Sequence, residues 1–148
     1  MRINHLAVAV SALAYWALGA VWYSPLLFAR PFIALMRWTP EQLAAVEAAG
    51  AGKEIGVALL SSFAVAYVLA HFVKYVGAET AATGAGVGFW LWLGFVATTN
   101  SATVLFEGRP LGLYLINVGY NLVAFLGMGA LLAVWKRREA RQHFAYQS

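Results

Sequence analysis

The chain has 148 residues, 62% of them hydrophobic and 11% charged, and a formal net charge of +4. A soluble domain carries ~25% charged residues, so this chain lacks the cover that a water-facing surface needs. The length fits one domain, and with no cysteine anywhere there is no disulfide, thiolate nucleophile or thiolate metal ligand.

A bilayer core of ~30 Å takes roughly 20 apolar residues as helix, because hydrocarbon offers the backbone no hydrogen-bond partner. The first such segment is 6–23, closed by Ser24-Pro25. Ala17-Leu18-Gly19-Ala20 raises the alternative of a cleaved signal peptide. The bulky Val21-Trp22-Tyr23 is a poor cleavage context, and Arg2 alone is a minimal charged start. Residues 26–38 are apolar but interrupted by Arg30 and Arg37, too short and too charged to cross, so they are expected to lie in the membrane interface. Thr39-Pro40-Glu41-Gln42 then supplies an N-cap, a first-position proline and a capping-box glutamine, which predicts a short helix from Pro40 to Ala49 ended by Gly50-Ala51-Gly52.

The second span is 55–73, with a small residue at every fourth position: Ala58, Ser62, Ala66 and Ala70. The third is 87–106, preceded by Gly84 and beginning with Gly88; the fourth is 111–135, with Gly127, Gly129 and Ala133 near its end. In lipid, close van der Waals approach drives helix association, so these are contact faces, within one bundle or between protomers of a homo-oligomer. No span carries Asp, Glu, Lys or Arg in its interior, where each would add ~2.5–3.5 kcal/mol to insertion. The expected fold is therefore all-α. It is an integral membrane four-helix transmembrane bundle in one domain, with an interfacial segment and a short helix between spans one and two.

Four spans put both termini on one side. One side would hold Arg2, Lys74 and the tail cations Lys136, Arg137, Arg138 and Arg141; the other holds Arg30, Arg37, Lys53 and Arg109. The tail cluster abuts the last span, where positive charge weighs most in setting orientation. The reading is a multi-pass protein of the inner (plasma) membrane with both termini cytoplasmic. Its basic tail, 136–148, faces anionic headgroups, so the partner is the lipid bilayer and not a nucleic acid.

This topology gathers polar residues at the other side. Span one ends in Tyr23, Ser24 and Pro25. Span three ends with Thr99, Asn100, Thr103 and Glu107, of which the last three share a face at offsets of three and four. Span four begins with Tyr114, Asn117 and Asn121, and Arg109 lies between the two helices. Tyr23, Ser24, Asn100, Thr103, Glu107, Arg109, Asn117 and Asn121 are thus the candidate ligand-binding residues of an outer-leaflet polar pocket. Two readings stand side by side. Asn and Thr in membrane helices often only tie helices together, and Glu107 with Arg109 has the makings of a headgroup-level ion pair. Polar groups at membrane depth are also candidates for function.

Other chemistry is thin. His5 and His71 lie toward the opposite side; paired histidines can ligate haem iron, but His5 stands at the water edge, so neither metal nor cofactor is expected. The chain has no phosphate loop, His-Glu-x-x-His helix or Gly-x-Ser-x-Gly elbow, and no strand precedes Gly84-Ala85-Gly86 to make a dinucleotide fingerprint. A proton-coupled exporter needs a membrane-embedded carboxylate, whereas Glu107 stands at a helix end.

Trp22-Tyr23-Ser24-Pro25-Leu26-Leu27-Phe28, Leu93-Gly94-Phe95-Val96, Phe106-Glu107-Gly108-Arg109-Pro110 and Gly119-Tyr120 together carry a likeness. Along nearly its whole length the chain resembles the bacterial membrane family catalogued as domain of unknown function 1761. The resemblance implies a four-span helical protein and no established activity, cofactor or catalytic residue. The functional expectation is a membrane protein that binds, or takes part in transporting, a small molecule or lipid. The alternatives are an accessory subunit of a larger membrane complex, and a lipid-acting enzyme with Glu107 as acid or base.

Overall fold

The computed structural model describes the backbone of residues 3–145 and, within its last helix, side chains as far as residue 135. In chain order the helices are α1 (His5–Trp22), α2 (Ala29–Met36), α3 (Pro40–Ala49), α4 (Gly52–Val76), α5 (Ala81–Trp92), α6 (Thr98–Leu105) and α7 (Leu111–Ala145). A π-helical turn, Leu93–Ala97, joins α5 to α6 into one continuous rod. Four stretches are long and apolar enough to cross a membrane: His5–Trp22, Gly52–Val76, Ala81–Leu105 and Leu111–Trp135.

Local chemistry accounts for the ends. The Asn4 side chain accepts from the Ala7 N–H at 2.8 Å and starts α1. Thr39 and Gln42 close the expected capping box on α3, and Thr80 with Thr83 closes a second one on α5. Gly77, at φ +74, takes the left-handed position that ends α4.

Two spans extend beyond the expected boundaries. The second span begins at Gly52 and runs to Val76, and the third begins at Ala81 rather than 87. Glycine-rich sequence disfavours helix by propensity, but the Thr80 cap and the packing of Gly84 and Gly88 outweigh it. The fourth span is Leu111–Trp135, and its helix continues to Ala145; the side chains of the expected basic tail lie outside the described residues.

α7 is the central element. It packs most extensively on α5, then on α1 and α4, while α4 packs chiefly on α1. At the α5–α7 crossing the backbones themselves meet. A Cβ placed on Gly88 would lie 2.7 Å from the Phe125 carbonyl carbon, and one on Gly84 would lie 2.6 Å from the Ala133 Cβ. Gly129 faces Gly84 in the same seam, whereas Gly127 points into open space and takes no part. Ser62, Ala66 and Ala70 of α4 are buried, as are Ala7, Val8, Ser11 and Ala12 of α1. Most of the small-residue positions are thus consumed inside the protomer, apart from Ala58 and Gly127, which are exposed.

The π turn changes register. Gly88 and Ala97 are buried, with Trp92 and Val96 half-buried between them, and the wide turn inserts one residue into the helical repeat. Leu35 of α2 rests against Gly112, which folds the connecting segment back on the start of α7.

Candidate functional site

α7 presents a polar stripe that its neighbours bind side chain by side chain. The Tyr23 hydroxyl donates to Asn117 Oδ1 at 2.8 Å, and the Tyr15 hydroxyl donates to Asn121 Oδ1 at 2.6 Å. Asn121 Nδ2 donates in turn to the Asn117 carbonyl at 2.8 Å, and the Tyr120 hydroxyl donates to the Tyr15 carbonyl at 3.0 Å. Tyr114 donates to the Ala97 carbonyl at 2.8 Å, where the π turn ends. Two indoles complete the set: Trp22 Nε1 donates to the Ile116 carbonyl at 3.1 Å and Trp92 Nε1 to the Val118 carbonyl at 2.8 Å. Such bonds contribute ~0.6–2 kcal/mol each between membrane helices. Their geometry fixes the rings: Tyr15 stacks on Tyr120 with centroids 5.2 Å apart, and Tyr23 meets Tyr120 edge-on at 5.5 Å.

The eight residues singled out from sequence fall into separate groups. Asn100, Thr103, Arg109 and Asn117 line one hollow with Leu113 and Tyr114, of only about 110 Å³. Tyr23 joins them through Asn117. Asn121 belongs instead to the Tyr15 bond, one turn further along α7. Ser24 Oγ donates to the Val21 carbonyl at 2.7 Å and closes the end of α1. Glu107 pairs with Arg109 at 2.9 Å, both side chains 53% exposed; solvent screens such a pair to a few tenths of a kcal/mol, roughly. Asn100 Nδ2 donates to the Val96 carbonyl and Thr103 Oγ1 to the Asn100 carbonyl, so both polar groups are partly satisfied by their own helix. A water occupies ~30 Å³ of liquid, so this hollow holds a few waters, well short of the ~300 Å³ at which ligand cavities begin.

A larger cavity, of about 690 Å³, lies between α1 and α4 with Tyr120 of α7 at its back. Tyr15, Trp16 and Tyr23 form its α1 wall; Glu54, Ala58 and Ser62 belong to α4. It runs between two spans whose lining residues Ala20 and Ala58 are exposed, so it opens sideways on the lipid phase. Sequence reasoning missed it. The available signal was tyrosine at 15, 23 and 120 opposite small residues at 19 and 58, a pattern with no fixed spacing. An apolar groove of about 370 Å³, walled by Val65, Val68, Leu91 and Phe95, is shaped for hydrocarbon.

On the opposite side, His5 stacks on Tyr67 at 6.4 Å and Tyr67 meets His71 edge-on at 4.6 Å. His71 Nδ1 is 2.8 Å from the Tyr67 carbonyl oxygen. Among the described residues no three His, Cys, Asp or Glu side chains gather as a metal site would require.

Four apolar helices tied together by half-buried amides, phenols and indoles define a multi-pass membrane protein. The family described as "Protein of unknown function (DUF1761)" matches residues 6–133, and the chain belongs to it. Among curated proteins and among solved structures, none matches.

Proposed function

We propose that this is a binding protein of the bacterial plasma membrane, which takes a small molecule or a lipid in the groove between α1 and α4. The observation that carries the reading is the size and make-up of that groove. Its volume, about 690 Å³, falls in the ~300–1,000 Å³ range of ligand cavities, and its tyrosines are held by hydrogen bonds to α7 and to one another. Preorganised aromatic walls with a few placed polar groups are what a binding site needs. The hollow at Asn100, Thr103, Arg109 and Asn117 then has a supporting role: it seats Tyr23. Glu107 is turned to Arg109 in an exposed connection and does not line the hollow, which speaks against it as an acid or base acting there.

Orientation follows from charge. With both termini cytoplasmic, as the cations after the last span favour, Glu54 and Tyr23 mark the outer mouth of the groove. Native mass spectrometry of protein released from nanodiscs tests the site. Small molecules or lipids retained by the wild-type chain are expected to be lost from Ala58→Trp, which fills the groove, and kept by Asn100→Leu. The reverse pattern would move the site to the small hollow and defeat the proposal.

A further inference from the structure

We infer that the groove selects organic cations with an apolar body. This rests on the groove being the binding site. Three observations carry it.

The first is the direction of the phenol protons. Tyr15, Tyr23 and Tyr120 each donate their one O–H into the protein, to Asn121, Asn117 and the Tyr15 carbonyl. Ser62 Oγ likewise donates to the Ala58 carbonyl at 2.8 Å. A hydroxyl whose proton is committed elsewhere offers a ligand only its lone pairs. Trp16 and Ser61 are the lining side chains left with an N–H or O–H to give.

The second is the ring arrangement. Tyr15 and Tyr120 stack on each other, which uses one face of each, and Tyr23 stands edge-on to Tyr120. Tyr15, Tyr23, Tyr120 and Trp16 all line the groove. Ring faces carry negative potential and attract a cation within ~6 Å, more strongly where water is excluded.

The third is formal charge. Glu54 is the one charged side chain lining the groove, and among the described residues its carboxylate has no ion pair. It stands in the first turn of α4, while Tyr15 lies within the α1 span. A cationic head held between Glu54 and the tyrosines would leave its apolar part along Ile55 and Ala58. An anion would meet the Glu54 carboxylate, lone pairs and ring faces of the wrong sign, with only the Trp16 N–H and the Ser61 O–H to receive it.

The test uses two ions of the same shape and opposite charge, tetraphenylphosphonium and tetraphenylborate. Equilibrium dialysis against the full chain in maltoside micelles, with empty micelles subtracted, gives each affinity. The cation is expected to bind at least about tenfold more tightly, one aromatic contact and one screened carboxylate being enough for that ratio. Glu54→Gln should narrow the ratio about fivefold, and Ala58→Trp should abolish binding of the cation. Ile55→Trp serves the same purpose if Ala58→Trp does not fold. Equal binding of both ions, lost on filling the groove, would keep the groove as a site and overturn cation selection. Binding that survives both tryptophan variants would overturn both readings. The source of the natural cation is read by competition. Displacement of tetraphenylphosphonium by a short-chain phosphatidylcholine but not by the matching phosphatidylglycerol supports a lipid headgroup. Displacement by neither supports a free lipophilic cation, and equal displacement by both counts against selection.

Discussion

Replacing Gly88 by alanine should loosen the molecule at its tightest seam. The added Cβ would lie 2.7 Å from the Phe125 carbonyl carbon, where ordinary contact begins at 3.4 Å. The shortfall is 0.7 Å against that atom, and the obstacle is backbone, with no rotamer to swing aside. The Phe125 carbonyl oxygen is nearer still, so α5 and α7 would have to part by more than that along the crossing. A gap of ~0.5–1 Å forfeits a quarter to a half of the dispersion energy of the contacts it opens, and overpacking a fitted core costs ~1–3 kcal/mol. Weak Cα–H···O contacts across the seam would go as well, at ~0.5–1 kcal/mol each. Against this, alanine gains up to ~1 kcal/mol over glycine in helix propensity. The net expectation is a loss of ~2 kcal/mol, about thirtyfold in the folding equilibrium. Reversible unfolding in mixed micelles of increasing sodium dodecyl sulfate, followed by circular dichroism, measures it. Gly127→Ala is the matched control: a Cβ there has nothing within 4 Å, so it should be neutral or slightly stabilising. Equal stability of Gly88→Ala and Gly127→Ala would refute the close backbone crossing.

A double-mutant cycle with Tyr23→Phe and Asn117→Leu should give a coupling of ~0.6–1 kcal/mol for the bond that ties the end of α1 to α7; a coupling within error of zero removes Asn117 as the anchor of Tyr23. Ser11 is fully buried and its hydroxyl has no hydrogen-bond partner, so Ser11→Ala should leave the fold unchanged or stabilise it by up to ~1 kcal/mol. A loss larger than that, in the same unfolding assay, would show that Ser11 has a bond the structure lacks.

The membrane spans were legible because one physical requirement, uncharged helix across hydrocarbon, leaves a mark in every window. The α3 helix was legible to the residue, since Thr39, Pro40 and Gln42 are a local code that needs no tertiary partner. The start of the third span was not, because Gly84 looks like a helix breaker until α7 is set against it. Topology alone groups polar residues of spans one, three and four at one end, and Asn100, Thr103, Arg109 and Asn117 line one hollow there. What spacing could not give was volume. It could not show that this hollow admits only a few waters, or that the roomier groove lies between α1 and α4. Nor could it show that Asn121 turns to Tyr15, since a helical face tells which way a side chain leaves its axis and not which neighbour reaches it.

The wide turn at Leu93–Ala97 gives the third rod a fault line. Upstream it is keyed to its neighbour by carbonyl against glycine; downstream it carries Thr98 and Thr99 on the exposed flank. Taking out one residue there would restore ordinary pitch and swing everything beyond it by ~100°. A change of length by a single amino acid is therefore enough to trade the outward hydroxyls for the aliphatic side chains beside them, while the clasp upstream stays shut.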